Sequence, residues 1–190
     1  IGLGIPAEPL FRSRSLELGH RRFLYLPGPK YNLSQTRRYA GIMDALSEAN
    51  VPVSNVRQID YHTVFGSPVP STSSYKSYEE LFFPVDYTAV IGFNDLQSYS
   101  AMEILKERGY RIPEDISLIS FDHLRKTHTY LPPLTSIADN TDKSIADTAV
   151  SILLDKIKNS DSKFTGAVLP VTIYDGHTTG PVNKAFETSF

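Results

Sequence analysis

Runs of apolar residues without internal alternation recur along this chain, and most are followed by a stretch with helical spacing. Phe23-Leu24-Tyr25-Leu26-Pro27 lies between the turn signals Gly19-His20 and Gly28-Pro29 and predicts a buried strand. Ser34 is placed to cap a helix in which Tyr39, Ile42, Met43 and Leu46 fall at i, i+3, i+4 and i+7, one apolar stripe. Val53 to Ile59 is a less regular strand pattern, and Ser73 to Phe83 a less regular helical one that must end before Pro84. Tyr87 to Phe93 is rich in β-formers and apolar throughout, which predicts burial on both faces. Asn94 or Asp95 then caps a helix carrying Ala101, Met102 and Leu105, with Gly109 at the left-handed C-terminal position. Ile116 to Phe121 repeats the strand pattern, and Thr135 to Ala138 forms another after Pro132-Pro133. Asp139 to Thr141 can cap a helix running to about Asn159, Gly166 to Tyr174 reads as a last strand, and residues after Gly180 as a surface tail.

Strands alternating with helices imply crossover connections and a parallel sheet, so the expected class is α/β, a doubly wound parallel sheet with helices on both faces. The 190 residues, 41% hydrophobic and 21% charged, suffice for one good-sized core or two small lobes. A formal charge of −2 gives no electrostatic footprint for nucleic acid, which needs clustered Lys and Arg. With no cysteine, disulfides, thiolate metal sites and Cys nucleophiles are excluded. No apolar stretch approaches a membrane span and no signal peptide opens the chain, so a cytoplasmic setting is expected. The opening Ile1-Gly2-Leu3-Gly4-Ile5-Pro6 reads as mid-protein, as though an N-terminal part were missing.

In open parallel sheets ligands bind beyond the carboxyl ends of the strands. Arg38 lies in the first turns after the first strand, Asn94 follows Phe93, Asp122 follows Phe121, and Asp139 follows Ala138. One cation, one amide and two carboxylates can donate to and accept from the hydroxyls of a sugar, polyol or nucleoside. Hydrogen bonds to charged partners contribute roughly 1.5–3 kcal/mol each. Each residue also has a plainer account: Asn94 and Asp139 as helix caps, Asp122 as a turn residue, Arg38 beside Arg37 as a solvated helix face. Their common sheet edge favours the binding reading.

Other motifs carry less. Gly2-Leu3-Gly4 lacks a preceding strand and a third glycine, so no dinucleotide fingerprint is present. His20, His62, His123, His128 and His177 show no paired metal-ligand spacing, and no cofactor or metal is expected. Asn32-Leu33-Ser34 matches a glycosylation triplet that has no meaning without secretion. The apolar residues Ala101, Met102, Ile104 and Leu105 spread wider than one core-facing stripe, so some are candidates to face a partner subunit, with simple burial as the alternative.

The stretches Ala89 to Asp95, Ala101 to Gly109 and Ile112 to Asp122, in this order and spacing, resemble the LacI/GalR family of bacterial transcription regulators. Leu18-Gly19-His20-Arg21-Arg22, Pro27-Gly28-Pro29 with Ser34 and Arg38-Tyr39-Ala40-Gly41, Pro132 to Ile137, and Thr178-Thr179-Gly180-Pro181 agree. The resemblance covers roughly residues 15 to 181 and implies a periplasmic-binding-protein-like core of type I whose cleft binds a small effector, usually a sugar or nucleobase-type metabolite. By position it makes Arg38, Asn94, Asp122 and Asp139 ligand contacts and adds Ser34. Residues 1–19 then correspond to the end of an N-terminal lobe, 20–139 to the C-terminal lobe, 140–165 to a helix returning to the N-terminal lobe, and 166–190 to the final strand and tail. Most of the N-terminal lobe and the DNA-binding head are absent, so the return helix is expected to lack its usual partner and to pack between molecules.

Three departures stand out: Ser120 where the family often has Gly, His123 where it often has a second Asp, and Asp139 where a neutral residue is common. The last favours a hydroxyl-rich or cationic effector over an acidic one, with Arg38 and Lys30 opposing that bias. The resulting expectation is a sensor domain that controls operator binding by a missing head, helix-turn-helix or winged-helix, and that forms a homodimer through the helix after Asn94. A secreted sugar-binding protein of a transport system is the alternative on the same fold. An enzyme with Asp122 or Asp139 as base lacks a nucleophile at recognisable spacing.

Overall fold

A computed structural model describes residues 8–59, 80–124, 132–139, 145–159, 167 and 169–189. Six strands, β1 (Phe23–Leu26), β2 (Val56–Gln58), β3 (Ala89–Gly92), β4 (Ser117–Phe121), β5 (Thr135–Asp139) and β6 (Val171–Tyr174), form one sheet in the order β2-β1-β3-β4-β5-β6. The α-helices among the described residues are α1 (Glu8–Phe11), α2 (Leu33–Glu48), α3 (Asp95–Glu107), α4 (Ile145–Lys158) and α5 (Lys184–Glu187), with a π-helical turn at Arg12–Leu16 and a 3-10 turn at Val53–Asn55. The first five strands run parallel, as the alternation of strands and helices predicts, whereas β6 pairs antiparallel with β5, Ile173 opposite Ile137. All four β6 residues are only half-buried, as suits an edge strand. The sheet is therefore mixed rather than wholly parallel.

Strand alternation divides the core. Phe23, Tyr25, Ala89, Ile91, Ile119, Phe121 and Ile137 point to one face and pack with Ile42, Ala45 and Leu46 of α2. Leu24, Leu26, Val90 and Leu118 point to the other and pack with Ala101, Met102, Ile104 and Leu105 of α3. The latter four are fully buried. The wide apolar arc of α3 therefore serves the core, and these residues do not face a partner subunit. The helix expected over Ser73 to Phe83 falls almost entirely outside the described residues.

The helix starts refine the capping assignments. Asn32, not Ser34, caps α2: its side-chain oxygen accepts from the backbone N–H of Ser34 and Gln35 at 2.8 and 3.2 Å, and the helix begins at Leu33. Asn94 caps α3, accepting from Gln97 N–H at 3.0 Å. Gly109 ends that helix at φ +85, the backbone region open to glycine. The tail after Gly180 is not featureless, since Asn183 caps α5 and Phe186 meets Tyr110 edge-on at 5.9 Å.

The amino edge of the sheet closes around His20. Its Nδ1 lies 3.0 Å from the Thr88 hydroxyl, and its Nε2 lies 3.0 Å from both the Ser117 hydroxyl and the Gly180 carbonyl. Beside it the Thr178 hydroxyl donates to the Leu118 carbonyl at 2.8 Å and accepts from Thr135 N–H at 2.9 Å. Burial pushes the His20 imidazole pKa down to about 4, so the ring is neutral near neutral pH.

Candidate ligand-binding site

At the opposite, carboxyl edge, α2 delivers Arg38 across the ends of β3 and β4. Its Nη1 donates to the Phe93 carbonyl at 2.6 Å and its Nη2 to Asp122 Oδ1 at 2.5 Å. The guanidinium also lies 4.8 Å from the centroids of both the Phe93 and the Phe121 rings. Two aromatic faces and two acceptors thus fix its position. Only 13% of the Arg38 side chain is exposed, against 39% for Asp122, so the carboxylate is the accessible member of the pair.

The turn after β4 holds Asp122 in an uncommon backbone region. Asp122 has φ +94 and His123 φ +47. Three successive N–H groups are nevertheless satisfied. Asp122 donates to the Ile137 carbonyl at 3.1 Å, His123 to the Ser136 hydroxyl at 3.0 Å, and Leu124 to Asp95 Oδ2 at 2.6 Å. The Ser136 hydroxyl itself donates to Asp95 Oδ1 at 2.8 Å. Asp95, 3% exposed, is thus the strut under the turn that presents Asp122. Sequence reasoning missed this role because Asn94-Asp95 at a helix start reads as a choice of caps. The one signal was that a helix needs only one of the two.

Asn94 fills the capping role with its side-chain oxygen, and it follows directly on Phe93, whose carbonyl Arg38 holds. Asp139 ends β5 one residue beyond the position facing Asp122, since Phe121 pairs with Ile137. Its Oδ2 accepts from Ile145 N–H at 3.3 Å, a long cap onto α4, and its carbonyl accepts from the Tyr174 hydroxyl at 2.9 Å. Ser34 is exposed in the first turn of α2, one turn before Arg38 on the same helix face. Arg38, Asp122 and Asn94 are therefore gathered at one point, Asp139 lies at the adjacent strand end, and Ser34 stands on the rim.

The departures noted in the sequence have local explanations. Ser120 is fully buried with its hydroxyl 2.9 Å from that of Ser98, which in turn donates to the Asn94 carbonyl. His123 stacks on Tyr174 with centroids 3.7 Å apart and planes 10° from parallel. Two glycines allow the close packing around the site. A Cβ on Gly28 would lie 2.6 Å from the Phe93 ring, and one on Gly92 would lie 1.9 Å from the Ser98 hydroxyl. No group of three metal-ligating side chains occurs among the described residues.

Residues 14–179 match the family described as periplasmic binding protein-like domain. The chain belongs to that family, in its LacI/GalR branch. Among curated relatives, it is 34% identical over 147 residues to the HTH-type transcriptional repressor PurR of Escherichia coli O139:H28. That match covers 76% of this chain and 40% of the relative. Identity to the PurR repressor of Mannheimia succiniciproducens is 30% over 146 residues, covering 76% of this chain and 42% of the relative. The chain thus spans about two fifths of the length of the curated relatives it matches. Among solved structures, a LacI family transcriptional regulator from Enterococcus faecium with bound ribose superimposes with a TM-score of 0.71 at 27% identity, over 88% of this chain and 60% of that one. A dimeric Lac repressor with an 11-residue C-terminal deletion gives 0.70 at 26%, over 88% and 58%.

Proposed function

We propose that this LacI/GalR domain is the effector-sensing part of a bacterial transcription repressor, with Arg38, Asn94, Asp122, Asp139 and Ser34 binding a neutral, hydroxyl-rich metabolite. The observation that carries this reading is the pinned Arg38–Asp122 pair. The guanidinium is already committed, so the groups left to meet an incoming molecule would be the second oxygen of Asp122, the Asn94 amide and the Asp139 carboxylate. Two carboxylates against one committed cation disfavour an acidic ligand by Coulomb repulsion, and suit sugar or polyol hydroxyls. The repressor relatives named above, and the ribose held by the Enterococcus faecium regulator, support the same assignment.

Effector binding would then shift an equilibrium at operator DNA, with a coupling of about 1–3 kcal/mol. DNA would be read by a head outside this chain, and the working form would be a homodimer in the cytoplasm, without catalytic turnover. No described helix is long and apolar enough to cross a membrane. The test is a thermal-shift screen against sugars, polyols, nucleosides and sugar phosphates, with Asp122→Ala as control. Stabilisation by one neutral class, lost in the variant, is expected; no response to any class, or an equal response in the variant, sinks the assignment.

A further inference from the structure

The sheet carries a second polar concavity, at its amino edge and therefore at the opposite end of the strands from Asp122. A cleft of about 250 Å³ opens at the start of β1, lined by Arg22, Phe23, Ser54, Asn55, Arg57 and Asp86. Because β1 pairs with β2 on one side and with β3 on the other, the turn before β2 and the segment before β3 form its two walls.

The groups that line it are fixed in advance. Arg57 is held by three contacts: its Nη2 donates to the Phe82 carbonyl at 2.9 Å, its guanidinium lies 5.1 Å from the centroid of the Tyr87 ring, and its Nε stands 3.4 Å from Asp86 Oδ1. The last is an ion-pair contact only, for Nε is buried and makes no hydrogen bond. The Asn55 amide donates to the Arg21 carbonyl at 3.0 Å, and the Arg22 carbonyl accepts from Thr88 N–H at 3.0 Å, so the main chain on both walls is anchored. Two guanidinium groups against one carboxylate leave the lining with an excess of one positive charge. A planar fork of N–H donors matches the oxygens of a phosphate or carboxylate, and a side chain already in place loses little freedom on binding.

We propose that this cleft binds a small oxyanion, the phosphate or carboxylate group of a metabolite, with Arg22 and Arg57 donating to its oxygens, the Ser54 hydroxyl assisting, and Asp86 opposing it. The site differs from the one proposed above in place and in charge: there one cation meets two carboxylates, here two cations meet one. It does not rest on that reading.

The 190-residue chain is titrated with inorganic phosphate and, separately, with malonate, at constant ionic strength set with sodium chloride, and followed by backbone amide chemical shifts. Saturable shifts at Phe23, Ser54, Asn55 and Asp86 are expected, with a Kd of about 1 mM or tighter for the better probe, which names the group. Arg22→Gln weakens binding at least about fivefold, and Asp86→Asn tightens it about threefold by removing the opposing charge. Both positions are exposed, so neither change threatens the fold. The opposite signs separate binding from structure, since a purely structural role would make both variants bind less well. Asp122→Ala leaves the titration unchanged. The proposal is overturned by shifts that chloride alone reproduces, by failure of both probes to saturate, by an Arg22→Gln variant that binds as the parent does, or by weaker binding in Asp86→Asn. Loss of the shifts in Asp122→Ala would place the anion at the carboxyl edge and would overturn it equally.

Discussion

Arg38 and Asp122 stand 84 residues apart in the chain and meet at 2.5 Å across the ends of two strands, with the guanidinium held between the Phe93 and Phe121 rings. Removing either partner has different consequences. Arg38→Ala leaves a carboxylate without its cation and opens a gap between two rings, so it should cost about 1–2 kcal/mol in urea denaturation and abolish the effector response.

Asp122 separates binding from stability. Its φ of +94 suits glycine, so Asp122→Gly relieves backbone strain of about 1 kcal/mol while losing the ion pair. Asp122→Ala loses the pair and keeps the strain. The expected outcome is a glycine variant within about 1 kcal/mol of the parent and an alanine variant clearly less stable, both unresponsive to effector. Equal stabilities would show that the turn stores no strain.

Asp95 should behave as a structural residue despite its place beside the site. It accepts from Leu124 N–H and from the Ser136 hydroxyl in a buried setting. Asp95→Ala leaves both donors unpaired and should cost about 3 kcal/mol by chemical denaturation. Loss of effector response without loss of stability would instead make it a direct contact.

Gly92 and Ser98 form a steric pair. An added Cβ meets the Ser98 hydroxyl at 1.9 Å, but the next nearest atoms lie at 3.2 and 3.3 Å. Gly92→Ala should therefore be destabilising, and most of its cost should disappear in the Gly92→Ala/Ser98→Ala double variant, a non-additive result readable in a double-mutant cycle.

The His20 socket predicts acid sensitivity. The folded ring titrates near pH 4, while an unfolded one titrates near 6.5. Between those values the unfolded chain binds more protons, so stability present above pH 6.5 is lost as pH falls toward 4, by up to about 3 kcal/mol. Denaturation midpoints at pH 7 and 4.5 measure it, and His20→Gln should flatten the dependence. An unchanged slope in that variant would place the acid sensitivity elsewhere.

Strands β1 and β3 were legible because both of their faces are buried, which leaves an unbroken apolar run in the sequence, and β4 and β5 because small hydroxyl residues are the only polar interruptions before their last positions. Once strands and helices alternate, the carboxyl edge follows, and so does the shortlist of Arg38, Asn94, Asp122 and Asp139. Legibility failed where one residue type serves two purposes at neighbouring positions. Asn32 and Ser34 are both good caps, and which one acts depends on where the chain turns after Gly28. Asn94 and Asp95 posed the same choice, and the unused carboxylate turned inward as a strut. The direction of β6 was not readable either, because a short run of alternating polarity looks the same whichever way it enters the sheet. His20 lies in a segment that carries the family resemblance, but its partners were not readable: its socket is assembled from Thr88, Ser117 and Gly180, which no local pattern connects.

That socket also sets an order of events during synthesis. The bond from His20 to Gly180 spans 160 residues, and Thr178 stitches β4 to β5 just beside it. A nascent chain can lay down β1 through β5 and still lack the donors and acceptors that seal their amino ends. The ring of His20 stays wet, and hence able to take a proton at mildly acidic pH, until the segment around Gly180 has cleared the ribosome. Sealing is thus one of the last steps, and a ribosome-stalled series ending on either side of Gly180 should change abruptly in protease resistance.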